Sequence, residues 1–141
     1  MHTPESRFHI TVECPTLNTL WTELETHLQG IYPTPLTNYE KAFGLTGTNS
    51  GIILRNWMTF LFRQCIMEQE NLAYHNKKGK GNLIDLKIKY NQKIKTEIFL
   101  KHNIFINLGR ADQFARDFAI NNYLIEWQNE EWQVLTVFKT K

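Results

Sequence analysis

The stretch "IILRNWMTFLFRQCIMEQENLAYH", residues 52–75, constrains the fold of this chain most. Ile53, Trp57, Phe60, Leu61, Met67 and Leu72 recur at helical spacing. Leu54, Met58, Phe62 and Cys65 widen that stripe until the first half is apolar nearly all round. A helix of this kind runs through a core rather than over its surface. At ~1.5 Å per residue it crosses most of a small domain in about six turns. A chain of 141 residues, 42% hydrophobic and 13% aromatic, can bury one such core.

The flanks predict further helices. In "PTLNTLWTELETHLQG" (15–30), Leu17, Leu20 or Trp21, Leu24 and Leu28 form one apolar face. Thr16 is the expected cap and Gly30 the expected C-terminal glycine. "IYPTPL" stops that helix, because each proline lacks an N–H donor. Thr37 and Glu40 form a capping-box pattern for a short helix that ends near Gly44. After the glycine–lysine loop "NKKGKGN", "LIDLKIKYNQKIKTEIFLKH" has two readings. "LKIKY" alternates like a strand, whereas Leu83, Leu86, Tyr90, Ile94 and Ile98 make a helical stripe. About twenty residues without a turn signal favour the helix. The remainder predicts one or two more helices, with Phe105, Leu108, Phe114, Phe118 and Leu124 facing inward. It holds no Asn-Gly or Asp-Gly hairpin signal. The expected fold is all-α, an irregular helical bundle with residues 1–14 as an extended N-terminal arm.

Composition narrows the function classes. Cys14 and Cys65 are the only cysteines, too few for a disulfide framework, and a reducing compartment is the simplest setting. "MHTPESRFHI" contains no apolar signal-peptide core, and no apolar run approaches membrane-spanning length. The expectation is an intracellular protein, cytoplasmic or nuclear, with no membrane partner. No nucleotide-binding loop or nucleophile elbow occurs. Cys65 lies within the apolar helix, where burial makes a thiol inert. Glu130 and Glu131 are adjacent and would diverge on a helix, so no carboxylate dyad is expected. The chain reads as a non-enzyme.

Two constellations remain. His9 and Cys14, in "ESRFHITVECP", have the spacing of two ligands to one metal. A structural zinc takes about four ligands, and His2 and His27 are the other candidates. The plainer reading makes Cys14 a small buried side chain and His9 a solvated or hydrogen-bonded histidine. The second constellation is basic. Between His75 and His102 stand eight lysines against Asp85 and Glu97, in a chain whose net charge is only +2. Lys77, Lys78, Lys80, Lys87, Lys89 and Lys93 are the candidate phosphate contacts, with Lys95 and Lys101 completing the cluster and Tyr90 as a stacking residue. The plainer alternative is the solvated face of a helix, since these lysines scatter around the helical wheel. The four tryptophans are expected in packing.

"ESRFHITVECPTLNTLW", then "LTNYEKAFGL", then "LRNWMTFLFRQCIMEQENL", resemble in this order the C-terminal part of non-LTR (LINE-type) retrotransposon reverse-transcriptase polyproteins. There a Cys–Cys–His–Cys module follows the polymerase. The resemblance is moderately specific over the first 65 residues and rests on helical texture afterwards. It implies that His9 and Cys14 are the last two ligands of that module, whose first two would lie upstream, the nearer falling at about Met1. The pair is then an unoccupied remnant, and no cofactor is expected, with zinc as the alternative. Residues 1–30 become that remnant plus the first helix, and 31–141 a helical C-terminal region, one compact domain overall. No Asp-Asp pair is present, so the polymerase signature is absent. The resemblance implies a non-catalytic tail whose partners are RNA or DNA and the upstream polymerase domain. A small helical interaction or structural domain is the alternative.

Overall fold

The computed structural model describes residues 15–33, 36–75 and 83–138, with side chains over 17–33, 36–68 and 84–138. His2, His9, Cys14, Lys77, Lys78, Lys80 and the expected N-terminal arm lie outside the described residues. Five helices and one hairpin follow in order: α1 (Pro15–Gln29), α2 (Asn38–Phe43), α3 (Ser50–His75), α4 (Leu83–Asn107), α5 (Ala111–Phe118), a 3-10 turn (Ile120–Asn122), β1 (Ile125–Gln128) and β2 (Glu131–Val134). The described chain is mostly α, not strictly all-α.

α3 is the central helix, but its phase differs from the sequence reading. Leu54, Met58, Leu61, Phe62, Cys65 and Ile66 are buried, whereas Ile53, Phe60 and Met67 are exposed. The residues expected to widen the stripe are therefore its centre. The helix is apolar on two sides, and periodicity alone does not choose which side meets the core. α4 resolves to a helix, with Leu86, Tyr90, Ile94 and Ile98 on its buried face. Glu68, late in α3, pairs with Lys89 and Lys93, early in α4. Trp57, early in α3, and Phe105, late in α4, both meet Phe118. The two long helices are therefore antiparallel. α1 lies across them with Leu17, Leu20, Trp21, Leu24 and Leu28 buried. Trp21 meets Phe62 edge-on at 4.8 Å, and Phe62 meets Tyr90 at 5.4 Å. Such edge-to-face pairs add about 0.5–1.5 kcal/mol each beyond the area they bury.

Polar residues of α3 hold the segment between α1 and α3 in place. Asn56 Nδ2 donates to the Leu45 carbonyl (2.9 Å), and its Oδ1 accepts from the Leu45 N–H (2.7 Å). Arg63 donates to the Lys41 carbonyl at 2.9 Å. Arg55 is fully buried and donates to the Tyr32 carbonyl, while its Nε and Nη2 have no partner. Burial pushes the pKa of both arginines down. Within this segment the capping box forms as the sequence predicts. Thr37 accepts from the Glu40 N–H (3.2 Å), and Glu40 accepts from the Thr37 N–H (3.0 Å).

The helix ends use different chemistry. Thr16 lies within α1 rather than at its cap. Gly30 is not left-handed; a Cβ there would sit 2.1 Å from the Tyr123 ring, so close packing explains the glycine. Gly109 does need its freedom. At φ 70° it closes α4, with Gly109 N–H donating to Ile106 O (3.0 Å) and Arg110 N–H to Phe105 O (2.7 Å).

The hairpin corrects the helical expectation for residues 125–134. Trp127 stands opposite Trp132, and Gln128 opposite Glu131. Asn129 and Glu130 make the two-residue turn at φ 53° and 63°. Positive φ at both positions is the two-residue turn that matches strand twist. Glutamate at its second position, where glycine is usual, conceals the hairpin in the sequence. Of the expected inward residues, Phe114, Phe118 and Leu124 are buried and Phe105 half-buried, whereas Leu108 is exposed.

Candidate functional site

The candidate lysines on α4 are engaged inside the molecule. Lys87 Nζ lies 3.1 Å from Glu23, Lys89 3.0 Å from Glu68 and Lys93 2.9 Å from the other Glu68 oxygen. Hydrogen bonds from Lys93 and Lys89 hold the Glu68 carboxyl below its usual range, and the bond to Glu68 raises the Lys93 ammonium. Exposed pairs of this kind are worth about 0–1 kcal/mol, so a phosphate can compete for them. Tyr90 cannot stack a base. It is fully buried, donates to the Met58 carbonyl at 2.9 Å, and burial pushes its phenol well above the ordinary value.

Among the described residues, Cys65 and His27 are held in the interior. Burial pushes the Cys65 thiol up to about 11, which leaves it protonated and unreactive at neutral pH. His27 packs edge-on against Tyr123 at 5.7 Å, and its Nε2 is buried without a partner. Burial lowers its pKa, partly offset by the Tyr123 backbone. Among the described residues no three His, Cys, Asp or Glu side chains gather to hold a metal.

A groove of about 510 Å³ opens between α4 and the hairpin. That lies within the ~300–1,000 Å³ range of small-ligand clefts. One wall is built by helical spacing. Lys95, Phe99 and His102 stand at i, i+4 and i+7 on α4 and all line the groove. The other wall is the cross-strand pair Trp127–Trp132, with rings 5.1 Å apart at 74°. Phe114 of α5, fully buried, joins the walls, edge-on to His102 at 5.0 Å and to Trp132 at 5.8 Å. Glu130 and Glu131 line the groove at the hairpin tip.

Two packing devices set the hairpin at this distance. Leu124 and Ile125 are buried at its start, and Leu135 N–H donates to Leu124 O at 2.8 Å. After β2, Phe138 is buried against Phe62 and Tyr90. Asn91 fixes it by donating to the Phe138 carbonyl (2.9 Å) and accepting from its N–H (3.1 Å).

The groove presents two aromatic faces to solvent: Phe99 is 65% exposed and Trp127 58% exposed. Trp127 therefore departs from the packing role expected of every tryptophan; Trp21 is buried, and Trp57 and Trp132 are half-buried. Among the described residues, neither Lys95 nor Glu130 has an ion-pair partner, although both line the groove. The Lys95–Phe99–His102 spacing is visible in the sequence. Its meeting with Trp127 and Glu131 depends on the hairpin, which the sequence reading placed in helices. No helix among the described residues is long and apolar enough to cross a membrane. Comparison of the chain with protein-family models, with curated proteins and with solved structures returns no match.

Proposed function

We propose that this chain is a non-catalytic C-terminal segment of a retrotransposon reverse transcriptase that helps hold RNA or DNA near the polymerase. The observation that carries the binding role is the groove, in which exposed Trp127 and Phe99 rings lie beside Lys95, which has no ion-pair partner among the described residues. Aromatic platforms beside cations are how proteins take single strands with little sequence preference. Lys77, Lys78 and Lys80 extend the positive charge along the chain. Lys87, Lys89 and Lys93 reach phosphate by exchanging carboxylate partners. The resemblance of "ESRFHITVECPTLNTLW" and "LTNYEKAFGL" supplies the retrotransposon part of the reading. An open frame with Cys-x-x-Cys spacing just upstream of Met1 is the expected genomic context, and its absence removes that part.

Fluorescence anisotropy with a labelled single-stranded 20-mer tests the binding part. Micromolar affinity that falls steeply with salt is expected from counterion release. No binding at low salt removes the proposal.

A second reading has its own observation. Ile53, Phe60 and Met67 recur at seven-residue spacing along the exposed side of α3, and Leu100 and Ile104 at four-residue spacing on α4. Such stripes suit a helical interaction domain that docks on a protein. Copurification with the upstream polymerase domain, lost on Phe60→Glu and Ile104→Glu, is its expected signature.

A further inference from the structure

We infer that the groove between α4 and the hairpin selects an unpaired nucleotide whose base carries an exocyclic amino group, adenine, cytosine or guanine in preference to uracil. The inference rests on the nucleic-acid reading above and names the ligand of the groove. Its basis is a charge arrangement. Lys95 lines the groove from α4, and Glu130 and Glu131 line it from the hairpin tip. These opposite charges do not pair with each other. Only one of the four carboxylate oxygens accepts a bond among the described residues, Glu131 Oε1 from Gln133 at 2.7 Å. A purely anionic ligand is repelled by the glutamates, and a purely cationic one by Lys95. A nucleotide satisfies both ends. Its phosphate meets Lys95, its ring lies on Trp127 or Phe99, and its amino group donates to a carboxylate. Carboxylates accept from the N4 amine of cytosine in the same way at base edges, and uracil has a carbonyl at that position. A base inside a duplex has both faces stacked on its neighbours, so a ring that lies on Trp127 or Phe99 belongs to a single strand.

Anisotropy with labelled 12-mers of rC, rA and rU at one low salt concentration tests this. Tighter binding of rC and rA than of rU is expected. Trp127→Ala should weaken rC binding about 5- to 150-fold, the range of one lost stacking contact. Lys95→Ala, on the exposed side of α4, repeats the test without touching the hairpin. Glu130→Gly with Glu131→Ala keeps the turn and removes both carboxylates; the preference of rC and rA over rU should be lost. Equal rC and rU binding that ignores Trp127→Ala and Lys95→Ala overturns the inference, while salt-dependent affinity leaves the broader reading standing. Failure to bind any oligonucleotide removes both. Tighter binding of a trimethyl-lysine peptide than of every oligonucleotide also overturns it, since the aromatic walls would then be a cation cage.

Discussion

Two segments outside the long helices pack against them, and they are held in opposite ways. Residues 31–33 and 36–45 are tied at Tyr32, Lys41 and Leu45 by Arg55, Arg63 and Asn56 of α3. The hairpin is tied at its ends, by buried Leu124 and Ile125 before it and by Phe138 after it. Between those anchors its tip stands away from α4, and the gap is the groove. A segment tied at several points has those backbone groups satisfied by its own scaffold. A segment hung from two ends leaves aromatic faces and charges for something else. Backbone strain falls on the same side of the comparison: Asn129 and Glu130 are both at positive φ.

The comparison breaks most severely at the hairpin's second anchor. Phe138→Ala should cost about 3–5 kcal/mol, the usual effect of emptying a buried aromatic site. Urea denaturation measures it, and a loss under 1 kcal/mol would mean that Phe138 is not the anchor. Asn56→Ala tests the stitched segment. It leaves both backbone groups of Leu45 without a partner and should cost about 2 kcal/mol. Glu130→Gly has the opposite sign. It relieves a left-handed non-glycine residue and should raise stability by about 1 kcal/mol. A lower melting temperature would contradict the turn geometry.

The smallest effect belongs to Glu68. Its carboxyl sits below the usual range in the folded state, so it contributes stability at neutral pH. That contribution is lost as pH falls through its folded pKa. His27 works in the same direction. Its lowered pKa lets the unfolded chain take up a proton first, so stability also declines as pH drops below the ordinary histidine value. Glu68→Gln should cost less than ~1 kcal/mol at neutral pH, because the pair is partly solvent-exposed. Melting curves against pH check it, with a shallower acid limb expected for the variant.

Much of the helical frame was legible from periodicity. The buried face of α1, the stripe Leu86–Tyr90–Ile94–Ile98 and the Thr37–Glu40 box follow from local spacing and form as read. What failed to show depended on distant partners or on atypical turn residues. Which of two apolar sides of α3 is buried is decided by α1 and α4, not by α3 itself. The hairpin is announced by no glycine. The groove joins residues 95–102 to 127–134, and the pairs that engage Lys87 and Lys93 reach 64 and 25 residues along the chain. A lysine cluster in sequence gives the charge; only the fold tells which members already have carboxylates.

The central claim is that the ligand enters the groove rather than the ion-paired side of α4. The most direct measurement is an amide and indole chemical-shift titration of the isotopically labelled chain with a short rC oligonucleotide. Perturbations should centre on the Trp127 indole N–H and on the amides of Lys95, Phe99, Glu130 and Glu131. Perturbations confined to Lys87, Lys89 and Lys93, with the Trp127 indole unmoved at saturation, would contradict the account.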